Sequence, residues 1–210
     1  MNDSPLGPIR PTAKTGDQLF TYEGRRLSFS LLEFWRWSTS DLVDNTTRGI
    51  LVEYIVGKAL GVDMNLPRQA WATYNLEWDP APGTQVANEV KSAAYLQSWH
   101  QQRYSAIQFV VPKRRGWDSE TGAIEDEPRR HADVYVFALL AHKDKTSVDP
   151  FKLEQWEFYV LATRALDDRE RSQHSITLNS LRQLARPSLG FDELAEVVLV
   201  AATANKRLLD

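Results

Sequence analysis

Glu89, Val90 and Lys91 place an acid and an amine two residues apart. In an extended strand alternate side chains share a face, so Glu89 and Lys91 project together while Asn88 and Val90 turn the other way. A carboxylate beside an ammonium can hold a hard divalent cation, while the amine orients a water or steadies charge developing on phosphorus. Acid-x-lysine is a common spacing, so its meaning depends on the elements that bring other groups to the same face.

Two such elements precede it. Asp44, Asn45, Thr46 and Thr47 offer capping side chains, Gly49 to Leu60 is apolar and helical in pattern, and Gly61 ends the helix. Glu53 lies in its middle, on a stripe with Gly49, Ile50, Val56 and Gly57, where a charge wants a partner; Arg48, Lys58 or water would serve on an ordinary helix surface. The segment Trp71 to Trp78 then alternates, with Tyr74, Leu76 and Trp78 on one face and Asn75, Glu77 and Asp79 on the other. Asp79-Pro80-Ala81-Pro82-Gly83 forms a turn, and Gln85 to Lys91 returns as the second strand of a hairpin. Its polar face carries Asn75, Glu77, Glu89 and Lys91.

The remaining elements supply a scaffold. Ser28 to Ser38 predicts a short helix capped by Ser28 or Ser30, and Ser105 to Val111 a third strand closed by Pro112. A long polar excursion follows, with Lys113, Arg114 and Arg115 at one end, Arg129 and Arg130 at the other, and an acidic patch between. Such a loop is functional, disordered, or a solvated segment whose charges neutralise one another. Ala132 to Ala141 and Trp156 to Ala162 predict buried central strands, and Asp133 at the mouth of the first is assigned a structural role. Leu178 to Leu184 and Glu193 to Ala204, the latter capped by Asp192, predict helices. The order implies an α/β (α+β) domain with a mixed sheet flanked by helices. The expected division is an arm over 1–20, a core over 21–165 and a C-terminal helical segment over 166–210 packed on the core.

The 210 residues suit one domain with a sizeable core, and 42% hydrophobic with 25% charged residues is ordinary globular usage. No stretch is long and apolar enough to span a bilayer, and the start lacks the pattern of a signal peptide. The absence of cysteine excludes disulfides and cysteine-ligated zinc and fits a cytoplasmic setting. A net charge of -3 argues against coating nucleic acid by bulk charge, while leaving room for a local basic rim. Most of the seven tryptophans are expected in the core or an interface. No histidine pair has metal spacing and no glycine-rich phosphate loop precedes a lysine, which disfavours a zinc hydrolase or an NTPase.

A helix glutamate, then a hairpin bearing a polar residue and an acid-x-lysine pair, resembles the PD-(D/E)XK nuclease superfamily, the restriction-endonuclease-like fold. The closer resemblance is to its bacterial members with a Tyr-Asp-Leu strand, a glycine turn and a Glu-Val-Lys-Ser-Ala-Ala-Tyr-Leu-Gln-Ser-Trp stretch. Here these are Tyr74-Asn75-Leu76, Gly83 and Glu89 to Trp99, and the likeness covers about residues 46 to 140. It implies a Mg2+-dependent DNA endonuclease of restriction or defence, with Mn2+ able to substitute, acting as a homodimer or as a subunit of a larger complex. It further implies that Glu89, the Val90 carbonyl, residue 75 and Glu53 hold the metal, that Lys91 orients the attacking water, and that Gln97 holds Lys91 or a phosphate. Lys113, Arg114, Arg115, Arg129 and Arg130 are the candidates for DNA backbone contacts. The departure is Asn75, whose neutral amide is a poorer magnesium ligand than the family's aspartate. That points to an inactivated nuclease, natural or engineered, or to rescue by Glu77 or Asp79; the alternative function is a binding or assembly module that keeps the fold without cleaving.

Overall fold

Glu23 and Gly24 both take positive φ, 48° and 78°, in a two-residue turn whose twist suits paired strands. They join β1 (Leu19–Tyr22) to β2 (Arg25–Ser30) in a separate hairpin. The computed structural model describes residues 6–185 and 187–206; the first five residues of the expected arm and the last four of the expected C-terminal segment lie outside the described residues. Of the two candidate caps, Ser30 starts α1 (Leu31–Thr39): its hydroxyl accepts the Glu33 N–H, and Glu33 in turn accepts the Ser30 N–H at 2.6 Å. Helix α2 (Asn45–Leu60) starts four residues before the predicted Gly49, because the Asp44 side chain accepts the N–H groups of Thr46 and Thr47. Gly61, at φ 74°, ends it in the left-handed conformation that a residue without Cβ adopts freely.

Strand β3 (Leu76–Trp78) is shorter than the predicted Trp71 to Trp78, since it is an edge strand with three register partners on β4 (Val86–Ala94) and none beyond them. Strand β5 (Gln108–Val110) lies outside the central sheet and pairs with the distant β8 (Ser175–Thr177). The third strand of the central sheet is instead β6 (Val134–Leu140), all seven residues buried, followed by β7 (Trp156–Ala162). Strand order is β3-β4-β6-β7, with β4 parallel to β6 and the other two pairings antiparallel, so the fold is α+β around a mixed sheet.

Helix α2 and α5 (Leu194–Lys206) cover one face, packing Val52, Val56, Leu194 and Val198 on Val90, Val136 and Phe158. The other face packs Ala93, Tyr135, Phe137 and Tyr159 against β5, β8, α3 (Thr163–Asp167) and α4 (Leu178–Leu184). Helix α4 has the predicted bounds, capped by Thr177; α5 is entered through a turn in which Glu193 accepts the Gly190 N–H at 2.8 Å, in place of the expected Asp192 cap. Asp133 accepts the Ala87 N–H at 3.0 Å and so ties β6 to the start of β4, the structural role assigned to it.

The polar excursion is a folded arm. Arg114 and Arg129 exchange backbone hydrogen bonds at 2.9 and 3.0 Å, Trp117 bridges Ile124, and Gly122 turns the tip at φ 73°. Among the tryptophans only Trp156 is buried; Trp35 and Trp78 are half-buried and Trp37, Trp71, Trp99 and Trp117 are exposed. Of the two places expected for the tryptophans, the core therefore holds one. No helix among the described residues is long and apolar enough to cross a membrane.

Candidate functional site

Parallel pairing of β4 with β6 sets Glu89 beside Tyr135 and Lys91 beside Phe137. Alternation then turns Glu89 and Lys91 to the face away from α2, while Val90 packs toward α2. Glu89 accepts a hydrogen bond from the Lys91 ammonium at 2.5 Å, and both side chains are about four-fifths buried. The acid and amine meet as their spacing predicts. The Tyr135 ring is buried beside them, and its hydroxyl is pushed up to about 12, first by burial and then by the Glu89 charge.

Glu53 is buried on α2 and meets neither Arg48 nor Lys58. Its carboxylate instead accepts two hydrogen bonds from Arg68, Nε at 2.5 Å and NH2 at 2.8 Å. Arg68 lies in the irregular segment between α2 and β3, and the bond to Glu53 raises its pKa, with the Glu89 charge adding to the effect. The guanidinium thus lies in the field of both acids. Arg48 is occupied elsewhere, donating to the Val43 carbonyl and the Asn45 side chain, each at 2.6 Å.

Asn75 immediately precedes β3. Its side-chain oxygen accepts the Val90 N–H at 2.7 Å, and its own N–H donates to the Asn88 carbonyl at 3.0 Å. The amide therefore fastens the edge of β3 to β4. Glu77 is engaged apart from it, accepting from the Tyr74 hydroxyl at 2.6 Å and from Gln85 at 3.0 Å. Gln97 also stands apart: buried beyond the end of β4, it donates to the Ser105 hydroxyl at 3.1 Å and keeps its oxygen without a hydrogen bond.

A cleft of about 220 Å³ opens over this arrangement. Its walls are the segment from Arg68 to Asn75, the strand residues Glu89, Lys91 and Tyr135, and the base of the polar arm at Arg114, Arg129, Arg130 and His131. Five lining cations face one lining carboxylate. Four of the five have a carboxylate partner: Arg68 with Glu53, Lys91 with Glu89, Arg129 with Glu125 and Arg130 with Asp167. Arg114 has no carboxylate partner among the described residues.

The basic candidates accordingly divide. Arg130 is buried and holds the fold, donating to the Val111 carbonyl at 2.9 and 3.1 Å, to the Gln173 carbonyl at 2.8 Å and to Asp167. Lys113 lies 3.6 Å from the same Asp167, and Arg115 is exposed outside the cleft. Arg114 and Arg129 are exposed residues that line it. Sequence reasoning missed Arg68, because it follows Pro67 in a stretch without periodicity, and Tyr135, because it sits within an apolar run.

A magnesium ion needs a near-octahedral set of oxygens, commonly including one or two carboxylates. Here Glu53 is taken by Arg68 and the Asn75 oxygen by a backbone N–H, which leaves Glu89, beside Lys91, as the one other carboxylate of the expected set, with the Val90 carbonyl. Among the described residues no group of three or more His, Cys, Asp or Glu is placed to hold a metal. The residues present do not fit the ion. No family model matches the chain, and neither a curated protein nor a solved structure is significantly similar to it.

Proposed function

We propose that this chain is a nucleic-acid-binding module of restriction-endonuclease-like architecture that contacts backbone phosphate with its own cations and does not cleave. The observation that carries this is Arg68 seated on Glu53 in the field of Glu89, where the resemblance to PD-(D/E)XK nucleases would put a metal. The order of α2, β3 and β4 supports the nuclease-like architecture, and the cation-lined cleft supports phosphate as the ligand. Guanidinium groups match phosphate oxygens in planar, two-point contacts, and Arg114 has no competing carboxylate among the described residues.

A second function, a metal-dependent DNA endonuclease, draws on the Glu89 and Lys91 contact inside the cleft. One experiment separates them: binding of labelled DNA across a salt series, beside cleavage assays with Mg2+ or Mn2+ on the chain, Asn75→Asp and Lys91→Ala. The module binds with an affinity that falls as salt rises, and leaves DNA intact with either metal. Cleavage by the unaltered chain that disappears in Lys91→Ala overturns the module in favour of the enzyme. Cleavage confined to Asn75→Asp shows a nuclease disabled at that one position.

A further inference from the structure

Trp71 and Trp117 meet edge to face, with ring centroids 6.3 Å apart and planes at 75°. Neither ring lines the cleft, but each belongs to a segment that does: Ala70 and Ala72, on either side of Trp71, line it, and Trp117 belongs to the arm that supplies Arg114 and Arg129. Both rings are open to solvent, Trp71 at 80% and Trp117 at 42% exposure. An indole left in water forgoes the burial that makes large aromatics core residues, while its open face can stack on any base.

The space between the walls limits what can enter. At about 220 Å³ the cleft has room for a phosphate group, and the base attached to that phosphate lies outside it. A single strand can lay one phosphate on Arg68, Lys91 and Arg114 while its adjoining base turns outward. A base-paired nucleotide has its base committed to the helix stack.

Resting on the nucleic-acid-binding function above, we infer that the ligand is single-stranded nucleic acid, with one phosphate in the cleft and a neighbouring base stacked on the open face of Trp71, whose ring Trp117 steadies by its edge-to-face contact. The phosphate contact sets salt dependence, and the ring contact sets preference for unpaired over paired strands. Sequence preference is weak, because every base presents a π-face.

The test measures binding of the full chain to a short labelled oligothymidine and to a duplex of equal length at matched salt. The single strand binds about tenfold or more tightly than the duplex, and Trp71→Ala with Trp117→Ala removes that margin without changing the salt slope. Trp71→Phe with Trp117→Phe, which keeps an aromatic face at each position, retains most of it and controls for damage to the arm. Equal binding of both nucleic acids, or a margin unchanged by the alanine variants, overturns the stacking inference while the binding module stands. Failure to bind either nucleic acid overturns the module itself, and the inference with it.

Discussion

The Arg68 guanidinium spans both carboxylate oxygens of Glu53, at 2.5 and 2.8 Å, and lies within the field of Glu89. Glu53 is nearly buried while Arg68 is 38% exposed, which puts the pair between the surface and interior cases. Exposed ion pairs contribute below about 1 kcal/mol, whereas removing one partner of a buried pair costs about 3–5 kcal/mol. Arg68→Ala is therefore expected to lower unfolding free energy by about 1–3 kcal/mol in urea titrations. Glu53→Gln combined with Arg68→Ala should cost less than the sum of the two single changes; strict additivity would show that the contact carries no energy.

At position 75 the oxygen matters to the sheet whichever residue supplies it. Asn75→Asp keeps an acceptor for the Val90 N–H and should be nearly neutral in stability, while Asn75→Ala leaves that donor unpaired and costs about 1–3 kcal/mol. With a second carboxylate beside Glu89, Asn75→Asp together with Arg68→Ala should gain a melting-temperature increase on addition of Mn2+ that the unaltered chain lacks. An equal increase in the unaltered chain would show that its donors hold the ion after all.

Arg130 and Arg114 look equivalent in the sequence and have opposite expected phenotypes. Arg130→Ala strips hydrogen bonds from two backbone carbonyls and from Asp167, and should cost about 3 kcal/mol or more in chemical unfolding. Arg114→Ala removes an exposed side chain with no carboxylate partner among the described residues and should leave stability within about 0.5 kcal/mol. It should weaken binding to all nucleic acid sequences alike and reduce the log–log salt slope by about one. A uniform loss of stability in both variants would contradict this division.

Glu89 and Lys91 were legible together because strand alternation is a local property that two residues suffice to define. The partner of Glu53 was not, since Arg68 lies fifteen positions away in a segment whose path is set by tertiary contact. The burial of Arg130 was hidden for a related reason: a basic cluster reads as a solvated face, and only tertiary packing brings its guanidinium to Val111, Asp167 and Gln173. Strands β6 and β7 were plain because burial on both faces leaves a continuous apolar run. Strand β5 is legible from the alternation of Ile107, Phe109 and Val111, but its pairing with β8 joins residues about seventy apart, a choice that pattern alone cannot make.

Tyr135 and Tyr74 set the alkaline limit. Burial, with Glu89 adding to it, lifts the Tyr135 hydroxyl to about 12, and the hydrogen bond to Glu77 lifts Tyr74 as far. The ordinary tyrosine value is about 10, so each folded-state value is raised. Their contribution to stability is therefore complete below about pH 10 and is lost as pH rises from there through about 12. Their tyrosinate absorbance should appear only as pH approaches about 12. Tyr135→Phe, which keeps the buried ring, should flatten the fall of unfolding free energy over the same interval; an unchanged slope would mean that its hydroxyl titrates as it does in water.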